Sequence, residues 1–228
     1  MDRFAIIGLG RFGSRLARNL SARGAEVIAI DRDRRVVEEL RDQVTLAVAL
    51  DATDEAALKL QGVDQVDVAV VCMGHDFEAN ALSTVLLKNL KVNRVVSRAA
   101  NDMQARILNR IGADSVVSPE DEASDRWANR LLSPFIIDHV ELGEGYGIVQ
   151  MPTPEAWRGK TLAELDLRAK HNVTMVAIKR RAPSAGPTGA EEVEERVIDL
   201  PTPTSRLTAD DILVIAGFDK DLRQLAAL

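Results

Sequence analysis

Short apolar runs recur along the first half of the chain and alternate with segments of helical spacing. Residues 77–90, for example, carry Leu82, Leu86 and Leu90 four apart, a spacing that predicts a helix. Strands that alternate with helices are typical of a doubly wound parallel sheet. We therefore predict an α/β fold with a Rossmann-like parallel sheet over residues 1–117. The apolar runs that we interpret as its strands are 3–7, 26–30, 44–50, 68–73, 94–98 and 115–117.

The pattern changes beyond residue 117. Ser118 and Pro119 are typical of a helix start, and we predict a crossover helix and a connecting strand over residues 118–145. Shorter strands and helices then predict a small α+β domain over residues 146–228. Within that domain, the prolines and glycines of residues 182–190 predict an exposed loop.

Composition narrows the classes of function. The chain carries 29 basic and 35 acidic residues, and its net charge of -6 disfavours nucleic acid as a partner. Its single cysteine, Cys72, excludes an intramolecular disulfide and lies in an apolar run as a small buried residue would. No apolar stretch approaches the roughly 18 residues that span a bilayer, and no signal peptide precedes the first strand. We therefore expect a cytoplasmic protein without direct membrane insertion, for which any membrane role requires a partner.

A glycine-rich turn joins the first predicted strand to the first helix. Residues 8–13 (Gly-Leu-Gly-Arg-Phe-Gly) match the G-x-G-x-x-G pattern of dinucleotide-binding proteins, in the strand-to-helix context that makes the pattern informative. Gly8 allows the tight turn, Gly10 lets phosphates approach the backbone, and Gly13 lets the helix pack close to the strand. The free N–H groups at the helix N-terminus favour an anionic ligand there.

Three charged residues extend this predicted nucleotide site. Asp31 closes the second strand, where a carboxylate accepts hydrogen bonds from both ribose hydroxyls and repels the 2′-phosphate of NADP. Arg32 beside it weakens that discrimination. Arg11 brings a guanidinium to the phosphates and suits a terminal di- or triphosphate at least as well as a pyrophosphate bridge.

Two further loops follow the third and fourth predicted strands. Residues 51–53 (Asp-Ala-Thr) and 73–75 (Met-Gly-His) lie at carboxyl ends of strands, where ligands of open α/β sheets bind. Met73 and Gly74 are placed to border an adenine, whereas His75 is equally well explained as a surface loop residue. The residues that we predict to bind the nucleotide are therefore Gly8, Gly10, Arg11, Phe12, Gly13, Asp31, Arg32, Asp51, Ala52, Thr53, Met73, Gly74 and His75.

Taken together, these segments resemble a known family. Residues 8–13, Asp31 and residues 51–53, with 111–114 (Ile-Gly-Ala-Asp) and 118–120 (Ser-Pro-Glu), are similar to the KTN/RCK proteins. These proteins are the cytosolic regulatory subunits of bacterial Trk/Ktr potassium uptake. The resemblance covers essentially the whole chain, and the combination of motifs is far more specific than any one of them.

The resemblance continues in the second domain, where residues 167–170, 173–179 and 210–217 are similar to an RCK-C domain. It implies homodimers that assemble into an octameric ring beneath a membrane-embedded potassium channel or transporter subunit, at the inner face of the cell membrane. It also implies that ATP or ADP, and in some members NAD(H), binds the first domain, with ATP favouring the active ring. Some members bind cyclic di-AMP between RCK-C domains, and the residues here leave that ligand open.

The resemblance also adds residues to the predicted site. It implies that Arg11 reaches the phosphates, including those bound in a neighbouring subunit, and that Arg98 and Gln104 line the pocket. Glu120 is similar to the carboxylate with which some members bind a divalent cation near the dimer interface. An acid in the first turn of a helix also favours the helix dipole, so both interpretations of Glu120 stay open.

Two other classes of function remain as alternatives. A small NAD-dependent oxidoreductase would need a proton donor or acceptor beside the nicotinamide, and its histidine candidates are His75, His139 and His171. The single tyrosine, Tyr146, has Gln150 rather than a lysine four positions later. A nucleotide-sensing transcriptional repressor would need a helix-turn-helix and a basic surface, which the net charge of -6 opposes. The sequence therefore favours a non-enzymatic nucleotide sensor that gates a potassium transporter.

Overall fold

The computed structural model describes residues 2–132, 136–185, 191–197 and 200–225. The chain divides into two compact units, and the boundary falls between Glu122 and Ala123. Among the described residues, no helix is both long and apolar enough to cross a membrane.

The first unit is an open parallel sheet of six strands with helices between them. Its strands are β1 (Arg3–Ile7), β2 (Glu26–Asp31), β3 (Leu46–Ala49), β4 (Val68–Val71), β5 (Arg94–Arg98) and β6 (Ser115–Val117). Its helices are α1 (Arg11–Ala22), α2 (Arg34–Leu40), α3 (Glu55–Leu60), α4 (Phe77–Asn89) and α5 (Asp102–Arg110). The strand order is β3-β2-β1-β4-β5-β6, and every pair is parallel. The predicted Rossmann-like doubly wound sheet is confirmed.

Alternate residues of the central strands build two hydrophobic cores. Ala5 and Ile7 of β1 belong to the core on one face of the sheet, and Ile6 belongs to the core on the other. In β2, Ile28 and Ile30 share the first core, while its neighbouring residues Val27 and Ala29 share the second. Because both faces are buried, these strands read as continuous apolar runs rather than as alternating ones.

The strand order places a topological switch point at the centre of this sheet. The chain winds outward from β1 through β2 to β3 and then returns to pair β4 with the other side of β1. The loops that leave the carboxyl ends of β1 and β4 therefore diverge to opposite sides and leave a crevice between them. Ligands of open α/β sheets bind in such a crevice.

The second unit contains an antiparallel sheet of five strands with short helices. The strands are β7 (Asp138–Gly143), β8 (Tyr146–Pro152), β9 (Thr174–Ala185), β10 (Glu191–Val197) and β11 (Asp211–Phe218), in the order β10-β9-β11-β8-β7. Helix α6 (Pro119–Leu132) spans the boundary between the units, and α7 (Leu162–Leu165), α8 (Leu167–His171) and α9 (Asp219–Leu225) follow. Leu213 and Ile215 of β11 are fully buried in its core. The predicted small α+β domain is confirmed.

Two segments of this unit differ from what their sequences suggest. The strand that we grouped with the crossover helix, β7, is an edge strand of the second sheet and pairs with β8 through a turn at residues 143–145. Part of the predicted loop 182–190 is strand, since β9 continues to Ala185; residues 186–190 lie outside the described part of the chain. Among the described residues, β11 pairs with residues 174–180 of β9 and not with Pro183, which has β10 alone beside it. A proline is tolerated where a strand lacks a neighbour on one side.

Candidate functional site

The glycine turn after β1 requires glycine at two positions, for two different reasons. Gly8 has a φ of +91°, and its N–H donates to the carbonyl of Ile30 at 2.8 Å. A Cβ on Gly13 would lie 2.0 Å from the carbonyl oxygen of Gly8, so α1 can pack this close to β1 only with glycine there. Gly13 is accordingly buried beneath the turn rather than exposed to a ligand.

Helix α1 begins at the turn without a side-chain cap. Its N-cap is Gly10, whose residue type offers no capping oxygen, and its first turn contains no acidic residue. The N–H groups of the first turn therefore keep their partial positive charge for another acceptor. A Cβ on Gly10 would meet no atom within 4 Å, so the backbone here faces open space.

Asp31 lies at the carboxyl end of β2, beside the turn. Its Oδ2 accepts a hydrogen bond of 2.6 Å from the N–H of Leu9, and its Oδ1 accepts one of 2.8 Å from the N–H of Asp33. These bonds fix the orientation of the carboxylate and leave one lone pair on each oxygen. The geometry is suited to two further donors, as the hydroxyls of a ribose would supply.

Asp51 lies at the end of β3, next along the edge. Its carboxylate accepts hydrogen bonds from the N–H and the hydroxyl of Thr53, at 2.9 and 2.7 Å, and these bonds hold the pKa of Asp51 below its ordinary value. Ala52 is tied to α4, because its carbonyl accepts from the hydroxyl of Ser83 at 3.0 Å. Residues 51–53 thus form a rigid, anionic corner of the site.

A fully buried asparagine joins the ends of β4 and β5. The Nδ2 of Asn80, in α4, donates to the carbonyl of Met73 at 2.8 Å and to the carbonyl of Arg98 at 3.0 Å. Its Oδ1 is also buried and has no partner among the described residues. This side chain fixes the spacing between the loop after β4 and the residue that ends β5.

Arg98 forms the wall of the site at the end of β5. Its guanidinium packs against Gly74, where a Cβ would lie 2.7 Å away, and stands 6.0 Å above the ring of Phe12. It forms an ion pair with Glu120 in the first turn of α6, while its Nε is buried without a partner among the described residues.

These loops surround a cavity of about 860 Å³ at the carboxyl ends of the strands. The predicted residues that line it are Gly8, Gly10, Arg11, Phe12, Asp31, Arg32, Asp51, Ala52, Thr53, Met73, Gly74, His75, Arg98 and Glu120. Two predicted residues do not: Gly13 lies under the turn, and the Gln104 side chain accepts a hydrogen bond from the N–H of Ala100 at 2.9 Å. Gln104 thus acts at the start of α5.

Sequence reasoning missed seven lining residues, which are Ile7, Ile30, Leu50, Cys72, Asp76, Ala79 and Arg15. Most of them end a strand or follow one, so proximity to residues already chosen could have found them. Arg15 had a clear signal, because it lies four positions after Arg11 in the same helix. Burial raises the pKa of the Cys72 thiol to about 12, which keeps it protonated and unreactive at neutral pH.

Charge is divided unevenly around the cavity. Arg11 and Arg15 of α1 form the basic side, and Asp31 and Asp51 form the acidic side at the ends of β2 and β3. The other two lining arginines are neutralised within the first unit, since Arg98 pairs with Glu120 and Arg32 lies 3.6 Å from Asp76. The site is therefore suited to a ligand with an anionic end and a hydroxyl-bearing end.

The described residues alone do not form a metal site. Within those residues, no cluster of three or more His, Cys, Asp or Glu side chains is arranged to hold an ion. The carboxylate of Glu120 already has the Arg98 guanidinium as its counter-ion. The divalent cation at Glu120 stays a prediction, and we derive no step from it.

Comparison with known proteins matches the chain to two domain families. The TrkA-N domain family matches residues 4–119, and the TrkA-C domain family matches residues 148–228. Among curated relatives, the Ktr system potassium uptake protein C of Bacillus subtilis (strain 168) is 37% identical over 219 residues, covering 96% of this chain and 93% of the relative. The Ktr system potassium uptake protein A of the same organism is 30% identical over 221 residues, covering 97% and 94%.

Solved structures show the same fold. The GsuK channel bound to NAD has a TM-score of 0.54 and 28% identity, and the match covers 100% of this chain and 39% of the GsuK chain. GsuK bound to ADP has a TM-score of 0.50 and 29% identity, with 58% of this chain and 34% of that chain covered. The chain therefore spans less than half the length of these channel chains.

The fold and the site define a class first: a Rossmann-type protein with its cavity over a glycine turn at the topological switch point. The domain matches and the full-length relatives then define the family. The chain belongs to the family of TrkA-N and TrkA-C domain proteins that includes the Ktr system potassium uptake proteins A and C.

Proposed function

We propose that this chain is a nucleotide-sensing regulatory subunit, which gates a membrane potassium transporter through an ATP- and ADP-dependent conformational change. The observation that carries the proposal is the cavity itself, with an uncapped helix N-terminus and two arginines on one side and two oriented carboxylates on the other. Relatives named as Ktr potassium uptake proteins, and GsuK structures with NAD and ADP, support it.

In the proposed binding mode, the division of charge orients the ligand. The first-turn N–H groups of α1 and the Arg11 guanidinium bind phosphate oxygens, while Asp31 accepts hydrogen bonds from the ribose hydroxyls. Met73 and Gly74 border the adenine at the end of β4. When bound, the nucleotide supplies phosphate charge and a sugar edge rather than a reacting group.

The proposed response runs through the guanidinium of Arg98, which lines the cavity and pairs with Glu120. Phosphate oxygens and the carboxylate of Glu120 compete for one guanidinium, so a more highly charged ligand weakens the Arg98–Glu120 pair. Glu120 belongs to the first turn of α6, which continues beyond the first unit. Nucleotides with different phosphate counts would thereby bias the position of this helix differently. Only such a difference can shift an equilibrium between two states.

The assembly that we propose follows the family resemblance. Residues 1–117 form the nucleotide-binding RCK-N domain, residues 118–145 the crossover segment, whose strand β7 joins the sheet of the second unit, and residues 146–228 the rest of the RCK-C domain. Homodimers of this chain assemble into an octameric ring on the inner face of the cell membrane, where they contact the potassium-conducting subunit. Nucleic acid is not a proposed partner, and NAD(H) is a possible second ligand of the same cavity.

An oxidoreductase is the alternative that the cavity supports less well. Among the lining residues that the structure describes there is no lysine or tyrosine, and His75 is the one histidine. His139 instead contacts Asp219 at 3.2 Å within the second unit. A nucleotide-dependent sensor needs no proton donor, so the cavity as built is sufficient for it.

Calorimetry on the full-length, ligand-stripped protein tests this function. We expect ATP and ADP to bind, and we expect Arg11→Ala to narrow the ATP/ADP difference in transporter activation more than it weakens adenosine binding. An equal loss of the ATP response and the ADP response in Arg11→Ala would reject the role of Arg11 in distinguishing the two nucleotides. No heat and no thermal shift with ATP, ADP, AMP or NADH would reject nucleotide sensing, and turnover of NADH would favour the oxidoreductase.

A further inference from the structure

Two arginines of α1 differ from the other charged residues around the cavity. Arg11 and Arg15 are both exposed and both line it. Within the described part of the chain, neither forms an ion pair or a side-chain hydrogen bond. The neighbouring Arg18 is satisfied, since its Nε donates to the Oε1 of Gln43 at 2.7 Å. Two guanidinium charges on the cavity wall are thus left without a partner.

This arrangement is unfavourable for the helix by itself. Residues four apart lie on one face of a helix, and like charges at that spacing repel each other. Arg11 is also the first residue of α1, where the positive end of the helix dipole disfavours a cation. Acidic residues would stabilise this turn, yet it contains none. An anion bound in the cavity would remove both penalties.

The direction of helical side chains brings Arg15 toward the glycine turn. Side chains in an α-helix lean toward its N-terminus, so a long side chain covers the surface of the preceding turn. The Cα of Arg15 lies about 6 Å along the helix axis from that of Arg11, at about 1.5 Å per residue. Its guanidinium can therefore meet a group that extends beyond the phosphate held at the turn.

We propose that Arg15 binds the phosphates beyond the first, and that it makes the site distinguish nucleotides by their phosphate count. The proposal deepens the proposed function and rests on it. The first phosphate is held by the N–H groups of the turn, which every adenine nucleotide shares. The terminal phosphate of a nucleoside di- or triphosphate carries the additional charge that two unpaired guanidiniums complement. The bridging pyrophosphate of a dinucleotide carries less charge and has no free terminal group.

The test compares Arg15→Gln with Arg18→Gln by calorimetry on full-length, ligand-stripped protein, using adenosine, AMP, ADP and ATP. Both variants remove one positive charge from the same helix, but Arg18 does not line the cavity. We expect Arg15→Gln to lower the affinity for ADP and ATP about tenfold and the affinity for AMP less than about twofold, as the loss of one charge-assisted contact predicts. Arg18→Gln should change every affinity by less than about twofold.

Further readouts separate binding from a structural role. Because Arg15→Gln relieves repulsion, the melting temperature of its ligand-free form should equal or exceed that of the wild type. Arg15→Lys should recover part of the ATP affinity by charge alone. Equal weakening of AMP and ATP in Arg15→Gln, or no weakening at all, would overturn the inference while leaving nucleotide sensing intact. A wild-type protein that binds none of the four ligands would overturn the proposed function and this inference with it.

Discussion

Gly10 and Gly13 belong to the same motif, but the structure predicts opposite consequences for replacing them with alanine. The Cβ of Gly13→Ala would lie 2.0 Å from the Gly8 carbonyl oxygen, about 1.4 Å short of an ordinary contact of 3.4 Å. The clashing atom belongs to the backbone, so α1 and β1 must separate. We expect the free energy of unfolding to fall by about 3 kcal/mol, the upper part of the usual range for overpacking.

Gly10→Ala should leave the fold almost unchanged. Gly10 has a φ of -65° and a ψ of -173°, which alanine adopts readily, and its Cβ would meet no atom within 4 Å. We expect a change in unfolding free energy of less than about 0.5 kcal/mol. ADP affinity should nevertheless fall at least about tenfold, because the methyl group occupies the space through which phosphates reach the turn.

Urea unfolding followed by circular dichroism, with calorimetric titration of ADP, measures both quantities on the same samples. Each variant is the control for the other, since the substitution is identical and the positions are three residues apart. Wild-type ADP affinity in Gly10→Ala would refute the approach of phosphates to this backbone. Wild-type stability in Gly13→Ala would refute the claim that the close contact between α1 and β1 limits this position to glycine.

Two further predictions concern buried polar groups. Asn80→Ala should lower the free energy of unfolding by about 2 to 3 kcal/mol, because it empties a fully buried position and removes the donor to the half-buried carbonyls of Met73 and Arg98. Urea unfolding measures this change, and a loss below about 0.5 kcal/mol would contradict it. In the second unit, burial alone would raise the pKa of Asp211. The hydrogen bonds from Arg180 and Thr208 outweigh this effect and hold the pKa below its ordinary value of 3.8. The stability that this carboxylate contributes is therefore present above about pH 4, and it is lost as the pH falls through the pKa that Asp211 has in the folded protein. Arg180→Gln should raise the pKa of Asp211 and move acid unfolding to higher pH. It should also lower the free energy of unfolding by about 2 kcal/mol at pH 7, which is less than for a fully buried pair because the Arg180 side chain is 46% exposed. An unchanged midpoint in a pH titration followed by circular dichroism would contradict this role of Arg180.

The parallel sheet could be predicted because its signals are local. Each apolar run is long enough for a strand buried on both faces, and the helices between them leave only a parallel arrangement. The glycine turn could be predicted as well, because its constraints are local. Gly8 needs a positive φ, and Gly13 approaches the carbonyl of Gly8, five residues earlier in the chain. These features depend on short-range sterics, which residue types express directly.

The second unit was less predictable. Pro183 and the glycines that follow it suggested a loop, yet β9 continues to Ala185 because β10 lies along it as an edge partner. The residue pattern of β7 likewise does not distinguish a strand that connects two domains from one that pairs with β8, as it does here. Strand pairing depends on which distant segment supplies the hydrogen bonds, and residue type at one position does not specify that segment.

The sequence by itself determined the fold class, the glycine turn and the carboxylate at the end of β2, because each follows from a local pattern of residue types. The tertiary structure decided which side chains meet. It joined Arg98 to Glu120, placed Asn80 between the ends of β4 and β5, and left Arg15 on the cavity wall without a partner among the described residues. Such contacts bring together residues far apart in sequence, so only the packing of the strands and helices decides them.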